Sequence, residues 1–83
     1  MSRRVLLVDD EPVLRRSLER ALRLEGYDVR TAADADSAYA ILEELTVDAA
    51  LLDLRIPHLT GDALAVALLH RWPYLDGRIL LMI

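Results

Sequence analysis

The sequence has 83 residues, of which 54% are hydrophobic and 29% charged, a balance typical of one small globular domain. Its net charge of −4, with no lysine, disfavours direct nucleic-acid binding, because an acidic surface repels phosphate backbones. The absence of cysteine excludes disulfides and thiolate metal sites and fits a cytoplasmic location. No stretch suits a targeting segment or a membrane span, so no membrane partner is expected.

The first half of the chain predicts two strands and two helices. The run from Val5 to Val8 indicates a buried strand. A helix is predicted at 12–25, because Pro12 suits a first turn and Gly26 a C-terminal stop. A strand nearer the sheet edge follows from Tyr27 to Ala32, and capping side chains at 33–37 precede the second helix. The apolar stripes expected to face inward are Leu14, Leu18, Ala21 and Leu22 in the first helix, and Ala38, Ile41, Leu42 and Leu45 in the second.

The second half predicts two more strands around a third helix. Val47 to Leu52 is a buried strand, and residues 54–60 form a loop. The third helix opens at Gly61 and ends before Pro73, and 76–77 is a turn. Ile79 to Ile83 is the fourth strand. Leu64, Ala67, Leu68 and Val66 are expected to face inward from the third helix.

Strands and helices alternate strictly along the chain. This order is typical of right-handed crossovers on a parallel sheet. The predicted fold class is therefore α/β, with a doubly wound parallel sheet of four strands and three helices.

Three aspartates follow the ends of two buried strands, with Asp9 and Asp10 after the first and Asp53 after the third. We expect them to converge, because parallel strands end at the same edge of a sheet and a doubly wound order allows strands 1 and 3 to be neighbours. Close carboxylates need a cation or raised pKa values. Oxygen ligands without histidine or cysteine favour Mg²⁺ or Mn²⁺, and a carboxylate partly free of the metal can attack phosphorus.

Simpler interpretations exist for these residues. A single aspartate at a strand end is usually a cap or turn residue. Capping or turn roles explain less easily an adjacent pair after VLLV together with a third aspartate after VDAALL. The side chain of Arg55 either reaches a phosphoryl group or points to solvent. The basic side of helix 1 is interpreted as a solvated face more than a kinase-docking surface. It comprises Arg15, Arg16, Arg20 and Arg23.

Two segments carry a family resemblance. VLLVDDEPVLRRSLERAL resembles the first strand, acidic pair and first helix of response-regulator receiver domains, and VDAALLDLRIPHLTG resembles their third strand and the phospho-acceptor loop. The match runs in register over residues 4–83 and implies the flavodoxin-like receiver fold.

The resemblance also implies roles for individual residues. Asp53 would be phosphorylated by a sensor histidine kinase. Asp9 and Asp10 would organise Mg²⁺ together with Asp53 and the backbone carbonyl of Arg55. Pro57 and Gly61 would shape the loop. The expected function is a phosphoryl-accepting module of two-component signalling and not an enzyme.

The sequence departs from the family after the fourth strand. Residues 1–83 resemble an incomplete receiver domain without the fourth helix, fifth strand and fifth helix, so the switch hydroxyl and the conserved lysine have no counterpart. We therefore expect defective switching, and self-association through the edge of the fourth strand. Two alternatives remain. One is a self-association module with a vestigial acidic site, and the other is a Mg²⁺-dependent phosphatase of the haloacid-dehalogenase type, which would need an aspartate where Arg55 stands.

Overall fold

The computed structural model describes residues 2–56 and 59–82. Pro57, predicted to shape the loop, and Ile83, the predicted end of the fourth strand, lie outside these ranges. The strands are β1 (Arg4–Val8), β2 (Asp28–Ala32), β3 (Ala49–Asp53), β4 (Arg55–Ile56), β5 (Leu59–Thr60) and β6 (Ile79–Met82). The helices are α1 (Pro12–Leu24), α2 (Ala35–Glu44) and α3 (Gly61–Arg71), followed by a 3₁₀ turn at Pro73–Leu75.

The four long strands form one parallel sheet in the order β2-β1-β3-β6. The chain places β2 on one side of β1, and then places β3 and β6 in succession on the other side. The predicted doubly wound α/β fold is therefore confirmed. Because β1 and β3 are adjacent, residues that follow their carboxyl ends meet at the switch point of the sheet.

The main core lies between the sheet and helices α2 and α3. Alternate residues of β1 and β3 face this side, as expected from the two-residue period of a strand. They contact the apolar stripes of the two helices. The buried residues that these helices contribute to the core are all at positions that the sequence predicts to face inward. The buried residues of this core include Leu6, Val8, Ala50 and Leu52 from the sheet and Ala38, Leu42, Leu64 and Leu68 from the helices.

Local signals set the helix ends. Glu11, Asp34 and Thr60 occupy the N-cap positions of α1, α2 and α3, and each side chain accepts a hydrogen bond from a backbone N–H of the first turn. These bonds satisfy donors that the helix itself leaves unpaired. After α1 the chain reverses at Gly26, whose φ of 97° favours glycine.

The apolar stripe predicted for α1 is only partly covered, because Leu18 and Leu22 are half-buried and the other two positions are exposed. No residue of α1 is buried, Leu14 is 49% exposed and Ala21 is exposed. The helix lies against β1 and β2, on the face of the sheet opposite α2 and α3. Because no second described helix lies beside it on this face, one flank of α1 stays open to solvent.

Two further predictions were wrong. Val66 of α3 is 69% exposed, since it lies two residues, or about 200° of helical rotation, from buried Leu64. Residues 54–60 are not a simple loop, because Arg55–Ile56 and Leu59–Thr60 pair as antiparallel strands. The sequence analysis also missed the completely buried Leu75 of the 3₁₀ turn.

Candidate metal and phosphoryl site

The side chains of Asp9, Asp10 and Asp53 come together at the carboxyl ends of β1 and β3. Each offers one carboxylate oxygen, and these three oxygens lie within 4.8 Å of one another. Asp9 follows the last residue of β1, and Asp53 is the last residue of β3. The adjacency of the two strands therefore places all three acidic groups at the switch point.

Asp9 is the most deeply placed of the three, with no solvent exposure. Its Oδ1 accepts a hydrogen bond from the backbone N–H of Glu11 at 3.0 Å. Its Oδ2 is buried and has no hydrogen-bond donor among the described residues. Burial raises the pKa of Asp9, the Glu11 N–H opposes that rise, and the negative charges of Asp53 and Asp10 add to it.

Asp53 is held by the backbone that follows it. Its Oδ1 accepts a hydrogen bond from the N–H of Arg55 at 3.0 Å. Leu54, the next residue, is fixed through both of its backbone polar groups, because its N–H donates to the Met82 carbonyl at 3.1 Å and its carbonyl accepts from the Gly61 N–H at 3.0 Å. The site therefore depends on β6 as well as on β3.

Gly61 makes a close backbone contact behind Asp53. A Cβ at this position would collide with the Asp53 carbonyl and would lie 2.8 Å from Leu54 Cα. Glycine is needed here because no side chain fits between α3 and the end of β3, and not because of a positive φ. Gly61 thus allows the start of α3 to approach the end of β3 closely.

Arg15 is a site-associated residue that the sequence analysis assigned to a solvated face. Its Nη1 donates a hydrogen bond of 2.9 Å to the backbone carbonyl of Asp9. This bond ties the first turn of α1 to the end of β1, next to the acidic pair. The sequence does place Arg15 one turn into the helix that follows Asp9 and Asp10. The helical pattern alone, however, does not distinguish Arg15 from Arg16.

An open pocket of about 400 Å³ lies over the acidic cluster. Its lining residues are Asp10, Glu11, Leu14, Asp53 and Arg55. Two of the three clustered aspartates thus face a space that solvent can enter, whereas Asp9 lies beneath it. A small anionic ligand could approach the half-buried carboxylate of Asp53 through this pocket.

The donor set suits a hard divalent cation. Ligand oxygens around one octahedral Mg²⁺ lie about 3 Å apart when adjacent and about 4 Å apart when opposite, so a 4.8 Å cluster needs only a small contraction. The unpartnered Asp9 Oδ2 is the kind of buried oxygen that a cation would satisfy. The residues present therefore fit Mg²⁺.

Comparison with known families agrees with the fold. A family model described as "Response regulator receiver domain" matches residues 5–82. The chain belongs to the response regulator receiver domain family. Its receiver fold is shared by the chemotaxis response regulator CheY4 of Vibrio cholerae, with a TM-score of 0.90 and 31% identity over 98% of this chain and 68% of that one.

Another receiver structure carries a ligand. The response regulator TrrA of Thermotoga maritima, solved in complex with Mg²⁺-BeF, has a TM-score of 0.81 and 28% identity, covering 95% of this receiver chain and 65% of that one. That ligand is a property of the Thermotoga maritima protein.

Sequence relatives of this receiver include mycobacterial regulators. The transcriptional regulatory protein PrrA of Mycobacterium tuberculosis is 45% identical over 67 residues, which are 81% of this chain and 29% of that protein. The probable transcriptional regulatory protein TcrX of the same organism is 44% identical over 57 residues, 69% of this chain and 24% of that protein. The chain thus spans about a quarter of these relatives' lengths. Within residues 2–56 and 59–82, no helix is long and apolar enough to cross a membrane.

Proposed function

We propose that this receiver accepts a phosphoryl group on Asp53 from a sensor histidine kinase in the cytoplasm. The observation that carries the proposal is the convergence of three carboxylates, one of which, Asp9, has a buried oxygen without a hydrogen-bond donor among the described residues. Asp9, Asp10 and Asp53 would hold Mg²⁺, with the backbone carbonyl of Arg55 as a further ligand and Pro57 shaping the loop beyond it. When bound, Mg²⁺ neutralises charge on the transferring phosphoryl oxygens.

The chain's own contribution is a nucleophile held in place. A carboxylate oxygen of Asp53 attacks phosphorus, the P–N bond to the donor imidazole breaks, and the imidazole leaves with the electron pair. The Arg55 N–H on Asp53 Oδ1 leaves Oδ2 as the oxygen for attack. The open pocket admits the donor, and Gly61 keeps the space behind Asp53 closed.

Phosphorylation of the isolated chain tests this function. Incubation with phosphoramidate, a small P–N donor, and Mg²⁺ should add one phosphoryl group to the intact mass. Asp53→Asn should abolish the addition, because the amide is not a nucleophile. Asp36→Asn, which changes an exposed carboxylate in the first turn of α2, should leave it unchanged. Equal labelling of wild type and Asp53→Asn would refute Asp53 as the acceptor.

We also propose that these 83 residues by themselves switch poorly. The sequence contains no lysine, and no hydroxyl follows β6 within it, so neither of the family's phosphoryl-sensing side chains is supplied. Amide chemical shifts with and without a beryllofluoride complex report this directly. Changes confined to the ends of β1 and β3 would support the proposal, whereas changes spreading across α3 and β6 would contradict it.

The phosphatase alternative is less well supported. A haloacid-dehalogenase-type enzyme needs a second aspartate two residues after its nucleophile, and that position is Arg55. A cation there can bind an anion but cannot serve as the general acid that the reaction uses. Hydrolysis of an aryl phosphate dependent on Asp53 would favour this alternative.

The other alternative is an assembly module with a vestigial acidic site. The exposed edge of β6 favours self-association but does not exclude phosphoryl transfer. A Mg²⁺ titration discriminates, because a vestigial site should respond equally in wild type and Asp53→Asn.

A further inference from the structure

Among the residues that the structure describes, Arg55 is the one basic residue lining the pocket over Asp53. The other lining residues are Asp10, Glu11, Leu14 and Asp53. Arg55 is exposed, so its guanidinium can move within the pocket mouth without disturbing the core. A positive group thus stands at the entrance to a negatively charged site.

The backbone of Arg55 is fixed although its side chain is not committed to a partner. The N–H donates to Asp53 Oδ1, and the residue pairs with Thr60 in the β4–β5 hairpin. Among the described residues there are four ion pairs, formed by Arg4, Arg23, Arg30 and Arg71, and none uses Arg55. The backbone of Arg55 is therefore anchored next to Asp53, and its side chain remains available for a ligand.

The charge balance favours an anion as that ligand. A phosphoryl group on Asp53 would replace one carboxylate charge by a group of about −1.5 to −2 charge with three acceptor oxygens. Within these 83 residues the basic side chains other than histidine are all arginines. A guanidinium offers five donors in a planar fork that matches two phosphoryl oxygens.

We infer that the Arg55 guanidinium binds the phosphoryl group carried by Asp53, in addition to any metal role of the Arg55 carbonyl. The inference rests on the proposed function and assigns a specific residue to hold its product. It decides between the two interpretations of Arg55, contact with a phosphoryl group or solvation, that the sequence leaves open.

Two ligands of opposite charge provide the test. Beryllofluoride, an anionic mimic of the phosphoryl group, and Mg²⁺ alone are titrated separately, with ¹⁹F NMR for the first and amide chemical shifts for the second. Arg55→Ala should weaken beryllofluoride affinity by about two- to fivefold, the effect of one solvent-exposed charge pair. Mg²⁺ affinity should stay equal or rise, because a cation that repels the metal is removed. Arg55→Lys, which keeps the charge, should recover part of the anion affinity.

Arg78→Ala is the matched control. It makes the same change in net charge at an exposed residue just before β6, at the amino end of the sheet and far from Asp53. Its beryllofluoride affinity should equal that of the wild type. A loss as large as that of Arg55→Ala would mean that net charge, and not contact, determines affinity.

The remaining outcomes separate the inference from the function on which it rests. Equal beryllofluoride affinities of wild type and Arg55→Ala would overturn the inference and leave Asp53 phosphorylation intact. If Arg55→Ala binds both beryllofluoride and Mg²⁺ more weakly, the inference is also overturned. That result would show distortion of the whole site and not the loss of one guanidinium contact. Absence of beryllofluoride binding and of phosphoramidate labelling in the wild type would refute the proposed function and the inference with it.

Discussion

Asp9 combines complete burial with a carboxylate oxygen that has no donor among the described residues. Burial raises its pKa, so over an interval of pH the folded protein holds a proton that the unfolded chain has released. This tighter binding of a proton by Asp9 stabilises the folded state, and its effect is fully present below the ordinary aspartate pKa. It is lost as the pH rises through the raised folded-state value.

Asp9→Asn should therefore stabilise the metal-free protein at neutral pH. The amide keeps the shape without the buried charge, and we expect a gain of roughly 1 kcal/mol in the free energy of unfolding. Urea unfolding in chelator, followed by circular dichroism, measures the gain. It should shrink on acidification, and added Mg²⁺ should stabilise only the wild type. A gain that is the same at acidic and neutral pH would argue against burial of a charge as its cause.

The sequence identified some residues of the site and missed others. The acidic residues could be selected from their positions after apolar runs, because strand ends are visible in one dimension. Arg15 could not, since its contact with the Asp9 carbonyl depends on how α1 leaves the strand. Gly61 was selected by resemblance, and only the tertiary structure gives the reason, a backbone approach that excludes a Cβ.

At the scale of elements, the sequence of α3 does not specify which face of the helix packs against the sheet. Seven of its eleven residues, 63–69, are alanine, valine or leucine, so several faces look apolar. Packing against β3 selects the Leu64 and Leu68 side and leaves Val66 in solvent. The predicted inward position of Val66 failed for this reason.

Substitutions in α3 should reproduce this asymmetry. Leu68→Ala should cost about 2–5 kcal/mol in the free energy of unfolding, because it opens a cavity at a completely buried position. Val66→Ala is the matched control in the same helix and should change stability by less than about 0.5 kcal/mol. Urea midpoints measured together give both values. Similar losses for the two variants would show that α3 is rotated from the orientation described.

At the scale of the whole molecule, β6 forms an exposed edge of the sheet. The Ala50 and Leu54 N–H groups donate to the carbonyls of Arg78 and Met82, so by the alternation of a parallel ladder Ile79 and Leu81 direct their backbone groups away from β3. Leu80 is 61% and Leu81 43% exposed. No charged side chain lies within β6 to discourage pairing.

We therefore propose self-association through β6, and Leu81→Lys should weaken it. A lysine at an edge strand opposes pairing with a second chain, so a dimeric wild type should shift toward monomer by about tenfold or more in dissociation constant. Leu24→Lys, which changes a leucine of α1 that is 78% exposed, is the control and should leave the dimer intact. Sedimentation with Mg²⁺ present measures both. A monomeric wild type would contradict the proposal.

The sequence by itself determined the alternation of strands and helices, the parallel sheet and the positions of the acidic residues. These follow from local periodicity, from caps and turn residues, and from the rule that parallel strands end at one edge. Only the tertiary structure decided which faces are covered, that β4 and β5 pair beyond Asp53, and that Arg15 contacts the end of β1. These features depend on how neighbouring elements pack against one another, which no one-dimensional pattern contains.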